Sequence, residues 1–239
     1  MTLLEGRKIC KSFGGVQALH NLDFAVAQGT IVGLIGPNGA GKTTLFNAVA
    51  GAFKPTSGQV VFDGSDITGL PANAICRLGM ARTFQVTRPF AAMTCLENVM
   101  VAAINRYPEK SKSFIEGLAR EKLALVGLVD LQAIEARHLN VVQKKRLEMT
   151  RALATMPKLL MLDEVLGGLN SQEINQAVAF IRRLRDDLGL TVLWIEHVMG
   201  AIMPAAERLI VLDQGQVLMM GTPNEAVKDA RVIQAYLGE

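Results

Sequence analysis

The sequence predicts an α/β fold: a phosphate-loop core with an antiparallel β-lobe at its N-terminal end and a helical lobe inserted into it. Three observations predict this. The glycine-rich stretch Gly36-Pro37-Asn38-Gly39-Ala40-Gly41-Lys42-Thr43-Thr44 stands between an apolar strand candidate, Ile31–Ile35, and a helix candidate, Thr44–Ala50. Leu159-Leu160-Met161-Leu162 ends in Asp163-Glu164, the pattern of a buried parallel strand with acids at its C-terminal edge, where open α/β sheets bind ligands. Between these, from about residue 86 to 152, the periodicity becomes helical. Residues 1–85 and 153–222 are therefore assigned to the core with its β-lobe, 86–152 to the helical lobe and 223–239 to a C-terminal helix.

In chain order, residues 3–13 and 16–26 read as strands turning at Gly14-Gly15. Phe13, just before that turn, offers an aromatic face for a purine base, with core packing as the alternative. The glycine-rich stretch fits G-x-x-x-x-G-K-[ST], and it has the strand and helix that such a match requires. Gly36, Gly39 and Gly41 let the backbone curl until successive N–H groups cup phosphate oxygens, and the following helix adds the positive end of its dipole. Lys42 is placed to reach the β- and γ-phosphates, and the Thr43 hydroxyl to take a Mg²⁺ position.

After a turn at residues 55–58, a short strand is expected at Gln59–Phe62, a helix at 72–80 and a short strand at Ala81–Gln85. Helices are expected at Thr94–Ala103, at Ser113–Gly127 and from near Val142. Asp163, at the end of its apolar strand, suits a Mg²⁺ site reached through water, and Glu164 suits a general base that polarises an attacking water. Consecutive carboxylates on one strand would point to opposite faces, so the backbone must bend where they sit. Residues 171–188 carry Ile174, Val178, Ile181 and Leu184 on one helical face, and Leu190–Ile195 is a second buried strand ending at Glu196-His197. His197 then lies at the same edge as the carboxylates, within reach of a γ-phosphate or the attacking water. A hairpin over Arg208–Asp213 and Gln216–Met220 precedes the C-terminal helix.

Composition narrows the function class. The chain has 239 residues, 50% of them hydrophobic, with a formal charge of +3, a balance that offers no basic arm for nucleic acid. Lys144-Lys145-Arg146 is the longest basic run. No secretory signal and no bilayer-spanning apolar segment is expected. Cys10, Cys76 and Cys95 have unrelated spacings and read as reduced thiols of a cytoplasmic protein.

Taken in this order, the residues resemble the ATP-binding subunits of ABC transporters over essentially the whole chain. Gly36–Thr44 resembles the Walker A motif and Leu159–Glu164 the Walker B motif with its catalytic glutamate. Gln85 resembles the Q-loop glutamine, which contributes to catalysis and to the metal site. His197 resembles the switch histidine, Phe13 the A-loop aromatic, and Gly168-Leu169-Asn170 the D-loop. The resemblance implies a RecA-like ATPase core using ATP and Mg²⁺, and a head-to-tail dimer that traps two ATP molecules. Each site would combine the Walker motifs of one subunit with the signature loop of the other. It implies membrane subunits as partners, docked on the segment from Gln85 to about Val101, with a solute-binding protein engaged indirectly. The location implied is the inner face of the cell membrane. Residues 81–85, 93–99 and 231–239 are most similar to the ATPases of branched-chain amino acid importers. ATPases of urea or amide uptake and of lipopolysaccharide export share much of the pattern.

The departure lies in the signature. Where the family has Leu-Ser-Gly-Gly-Gln, this chain has Leu139-Asn140-Val141-Val142-Gln143. In the family the serine hydroxyl and glycine amides meet the γ-phosphate across the interface. Val142 adds bulk where a backbone must approach phosphate, and a β-branched residue resists positive φ. Asn140 retains a donor on a longer arm. Loss of one charge-assisted contact costs about 1.5–3 kcal/mol. The expectation is weak support for ATP-driven closure by this loop, and hence a heterodimer with a conventional second ATPase rather than a homodimer. A low-turnover regulatory ATP-binding subunit and a lipid or lipopolysaccharide exporter ATPase are the alternatives. Val165 stands in place of the family's proline after the glutamate, a change that by itself reads as neutral drift, and the glycines of the following Leu166-Gly167-Gly168 would loosen the D-loop.

Overall fold

The computed structural model describes residues 1–237. The first two strands, β1 (Thr2–Phe13) and β2 (Val16–Ala27), form a long antiparallel hairpin. With β4 (Ser57–Phe62) and β5 (Ser65–Asp66) they make a four-stranded sheet in the order β2-β1-β4-β5. The second sheet has six strands. It comprises β3 (Ile31–Ile35), β6 (Met80–Arg82), β7 (Leu159–Asp163), β8 (Thr191–Ile195), β9 (Arg208–Asp213) and β10 (Gln216–Gly221), in the order β10-β9-β3-β8-β7-β6. All neighbours from β9 to β6 are parallel, and β10 returns antiparallel on β9.

Every residue of β3, β7 and β8 is buried, as expected for a parallel strand covered on both faces. Alternation divides each strand between two cores. Val32, Leu34, Met161, Leu193 and Ile195 face the β-lobe and α1 (Lys42–Val49). Ile31, Ile35, Leu160, Leu162, Val192 and Trp194 face α6 (Ser171–Leu188), α7 (Met199–Ala205) and the helical segment. A hydrophobic layer thus lies on each side of the sheet, leaving its C-terminal strand edge for polar chemistry.

Between β6 and β7 run α3 (Cys95–Arg106), α4 (Lys112–Leu125) and α5 (Val141–Leu153), after α2 (Ala72–Leu78). Each of the three is capped by the residue before it. Thr94 and Glu97 form a reciprocal capping box, Ser111 accepts from the Phe114 amide, and Asn140 and Gln143 form a second box. Val99, Ala103, Ile115, Ala119, Leu123 and Leu147 are buried within the same core that backs the sheet. Helix α5 runs through the boundary expected at 152–153.

The helix expected at 72–80 ends at Leu78, so that Met80 joins β6, and β5 and α7 were not expected; two further elements are cut short or broken. The strand expected over Ala81–Gln85 stops at Arg82, because the Phe84 amide donates to the Glu148 carboxylate on α5 instead of a neighbouring strand. The helix expected over 223–239 is broken into α8 (Pro223–Ala226) and α9 (Ala230–Leu237). Here Lys228 and Asp229 donate to Glu225 and Ala226 in tight i→i−3 bonds, and Asp229 then accepts from the Arg231 amide. Gly238 and Glu239 lie outside the described residues.

Candidate functional site

The loop after β3 requires its glycines. Gly36 has φ 149°, and a Cβ there would meet the Leu212 carbonyl oxygen at 2.1 Å. Gly41 has φ 98°, and its Cβ would approach the Ala18 oxygen at 2.9 Å. Gly41 is also the cap of α1 and supplies no side-chain acceptor, so the first-turn amides of that helix open onto the loop. Pro37 and Ala40 are buried, whereas Asn38, Gly39 and Thr43 are exposed and Thr44 is half-buried. The Lys42 ammonium curls back into the loop, donating to the Gly36 and Pro37 oxygens at 2.6 and 2.7 Å. The loop thus holds one cation against its own carbonyls beside the first-turn amides of α1, which no side chain caps, an arrangement suited to an anion.

Sheet order brings the other groups to this loop. Strands β3, β8 and β7 are consecutive and parallel, with Leu34 opposite Ile195 and Ile195 opposite Asp163. The phosphate loop, the Glu196-His197 pair and the Asp163-Glu164 pair therefore leave the sheet at one edge, although they are far apart in sequence.

Asp163 is 5% exposed and pairs with Arg82, Oδ2 to Nη2 at 2.6 Å. Arg82 also donates through Nη1 to Asn47 on α1 at 2.6 Å, and its guanidinium lies over the Phe46 and Phe84 rings. At Glu164 the backbone turns to φ 46°, which is the bend that two consecutive carboxylates require. The Glu164 carboxylate accepts from Gln85 Nε2 at 2.6 Å. The His197 ring is 61% exposed, with Nδ1 3.9 Å from Glu196 Oε2.

Thr43, Gln85 and Asp163 line one cleft of about 840 Å³. Hydroxyl, amide and carboxylate oxygens are the donors a hard divalent cation prefers, and Mg²⁺ uses few protein ligands when phosphates supply the rest. Among the described residues, no cluster of three or more His, Cys, Asp or Glu side chains is placed to hold a metal. The donor set fits Mg²⁺ carried with a phosphate ligand.

Phe13 is 48% exposed, meeting Phe53 edge-on at 5.3 Å between centroids, with Lys11 Nζ 4.9 Å from its own ring centroid. It packs in neither hydrophobic core.

In the signature stretch, Leu139 is buried, and Asn140 Oδ1 accepts from the Gln143 amide at 2.9 Å. Val141 is exposed. Val142 lines an apolar cavity of about 200 Å³ together with Val165, Met149 and Phe180. The positive φ anticipated at position 142 is not required, because Val142 lies in the right-handed first turn of α5. Bulk remains the steric consequence of the valine. The serine-to-asparagine change leaves the helix cap in place, since the two residues cap equally well.

Sequence reasoning missed four residues around this edge. Arg82 pairs with Asp163, and Glu148 accepts the Phe84 amide. Lys145 donates to the Val165 oxygen at 2.8 Å and also to that of Gly167. Glu196 is 1% exposed and accepts backbone amides from two loops. Burial pushes the Glu148 and Glu196 carboxyls above the usual carboxylate range and the Lys145 ammonium below its own. A charge directly after a buried strand was the available signal for Glu196.

With this geometry in place, three comparisons identify the family. Residues 19–167 match the model of the ABC transporter family. The chain is 38% identical to the high-affinity branched-chain amino acid transport ATP-binding protein BraF of Pseudomonas aeruginosa, covering 99% of this chain and 98% of that protein. It is 38% identical to the corresponding protein LivG of Escherichia coli, with the same coverage. Its fold matches a nucleotide-free ATP-binding cassette of an ABC transporter with a TM-score of 0.90 and 30% identity, over 100% of both chains. An ADP conformation of such a cassette gives the same score, identity and coverage. These likenesses extend over the whole fold, and this chain belongs to the ABC transporter family of ATP-binding proteins, which are ATPases.

Proposed function

We propose that this chain is the ATP-binding and ATP-hydrolysing subunit that energises an importer of branched-chain or other hydrophobic amino acids. The observation that carries the reading is the convergence of Lys42, Asp163, Glu164 and His197 at the ends of three adjacent parallel strands. The cargo class follows the relatives named above, each a branched-chain amino acid transport ATP-binding protein. Among the described residues no helix is long and apolar enough to cross a membrane. The chain would accordingly act at the inner face through membrane subunits that receive the segment 85–101.

In this reading the amides of residues 36–43 and the Lys42 ammonium hold the β- and γ-phosphates. Phe13, exposed at the tip of the β-lobe hairpin, stacks on the adenine. Thr43, Gln85 and Asp163 would hold Mg²⁺, which neutralises phosphate charge when bound. Glu164 accepts the proton of an attacking water, and Gln85, now bonded to it, orients the carboxylate. His197 donates to the γ-phosphate. ATP favours the closed dimer because it contacts both subunits there.

Leu139–Gln143 would face the ATP of the opposite subunit. The bulk of Val142 in the first turn of α5 favours a heterodimer with a conventional partner, in which the complete site pairs this chain's Walker motifs with the partner's signature. The same observation supports a second reading, a low-turnover regulatory subunit. MgATP hydrolysis by the chain alone and after mixing with a conventional second ATPase separates them. Turnover that rises on mixing and disappears with Glu164→Gln supports the first. Turnover that persists with Glu164→Gln, carried by the partner alone, supports the second.

A further inference from the structure

We propose that Glu196 is a positioning residue for hydrolysis: its buried carboxylate fastens the loop after Glu164 to the loop carrying His197, so the two move as one unit. The inference rests on the roles given to Glu164 and His197 above, and it adds a part that neither role requires.

Glu196 follows a strand in which all five residues are buried, and it is itself 1% exposed. A carboxylate is kept in such a place only where hydrogen bonds replace its water. Both of its oxygens are used, and they serve different loops. Oε1 accepts the Leu166 amide at 2.9 Å. Oε2 accepts the His197 amide at 3.2 Å and lies 3.5 Å from that of Val198. One side chain therefore joins the backbone two residues beyond Glu164 to the backbone of His197.

The segment between is held from its other side as well. Lys145, on the helix that begins with the signature stretch, donates to the carbonyls of Val165 and Gly167. The Glu164 amide donates to the Ile195 oxygen at 3.0 Å, immediately before Glu196. Glu164 is thus tied to the end of β8 at two points, by its own amide and through Leu166. Its φ of 46° is one that residues with side chains rarely adopt, and such a conformation persists where surrounding bonds over-determine it. Two backbone anchors and a lysine clamp supply that over-determination. Movement of His197 would be transmitted to Glu164 through a single rigid carboxylate.

Glu196→Gln tests this with a side chain of the same size. A carboxylate accepts on both oxygens, whereas a carboxamide accepts on one and turns its NH₂ toward the other donor. Three quantities are compared on the full chain: affinity for a fluorescent ATP analogue, kcat for MgATP, and backbone hydrogen exchange without nucleotide. Unchanged affinity, a kcat lowered about tenfold or more and about tenfold faster exchange at Leu166 or His197 are expected. Glu196→Asp, which keeps both acceptors on a shorter arm, should recover part of the exchange protection, and it also serves if the Gln variant does not fold. Wild-type exchange at both amides would overturn the inference, as would faster exchange with an unchanged kcat. A wild-type chain inactive both alone and after mixing with a conventional second ATPase would count against the ATPase role, while exchange still decides whether the clamp exists.

Discussion

The Gln85 side-chain amide donates to the Glu164 carboxylate at 2.6 Å, bridging the end of β6 and the end of β7. A carboxylate oxygen held by one donor is oriented, and that donor, Gln85, lines the cleft together with Thr43 and Asp163. Glu164→Gln should leave binding of a fluorescent ATP analogue unchanged and lower kcat by about 10²–10⁴-fold, the usual range for loss of a general base. Single-turnover hydrolysis measures it. A smaller loss would assign the proton transfer to another group.

Arg82 and Asp163 form a buried pair, with side chains 11% and 7% exposed. Removing one member of such a pair leaves an uncompensated charge. Arg82→Met should therefore destabilise the chain by about 3–5 kcal/mol in urea unfolding without Mg²⁺ or nucleotide. MgATP should recover part of that loss, because a cation near Asp163 replaces the guanidinium. A loss unaffected by MgATP would place the metal away from Asp163.

The strands and the phosphate loop were legible because their physics is local. Ile31–Ile35, Leu159–Leu162 and Thr191–Ile195 are apolar runs bounded by glycine or charge, and each is a fully buried strand. The bend at Glu164 followed from two adjacent carboxylates and a period of two. The pairing of Arg82 with Asp163, of Glu148 with the Phe84 amide and of Glu196 with the Leu166 amide was not legible. Each joins segments separated by at least 30 positions, and one partner is often a backbone N–H, which no residue type advertises. Capping concealed the sense of the signature stretch as well. Asn140 read as a phosphate donor on a longer arm, and the sequence reading missed that its oxygen closes a capping box with Gln143.

The Glu148 carboxyl predicts a pH dependence. Its folded pKa is raised, chiefly by burial; the Phe84 amide, Arg151 and Lys145 oppose the shift and Asp163 adds to it. A raised folded value means a contribution to stability that is complete below the unfolded pKa and lost as pH rises through the folded one. Glu148→Gln keeps an acceptor for the Phe84 amide and removes the titration. Urea unfolding at intervals from pH 4.5 to 8 should show the variant gaining on the wild type as pH rises. A difference independent of pH would mean that Glu148 titrates alike in the folded and unfolded chains.

The signature stretch gives the last prediction, and it separates two substitutions that the sequence joins. Asn140 and serine are equivalent helix caps, so Asn140→Ser should change stability by no more than about 0.5 kcal/mol and should leave turnover close to wild type. Val142 differs, since its side chain occupies the first turn of α5 and one wall of the cavity shared with Val165. Val142→Gly removes that bulk, at a cost of about 1 kcal/mol from helix propensity and lost burial. If the bulk keeps the loop from an opposing γ-phosphate, this single change should raise MgATP turnover severalfold despite the lower stability, with analogue binding unaltered. Steady-state hydrolysis and urea unfolding on both single variants and the double variant check it. Stability and activity moving in opposite directions at Val142 is the diagnostic result, because a packing defect alone lowers both. Equal turnover in all variants would remove the steric account of Val142 and, with it, the reason to require a conventional partner.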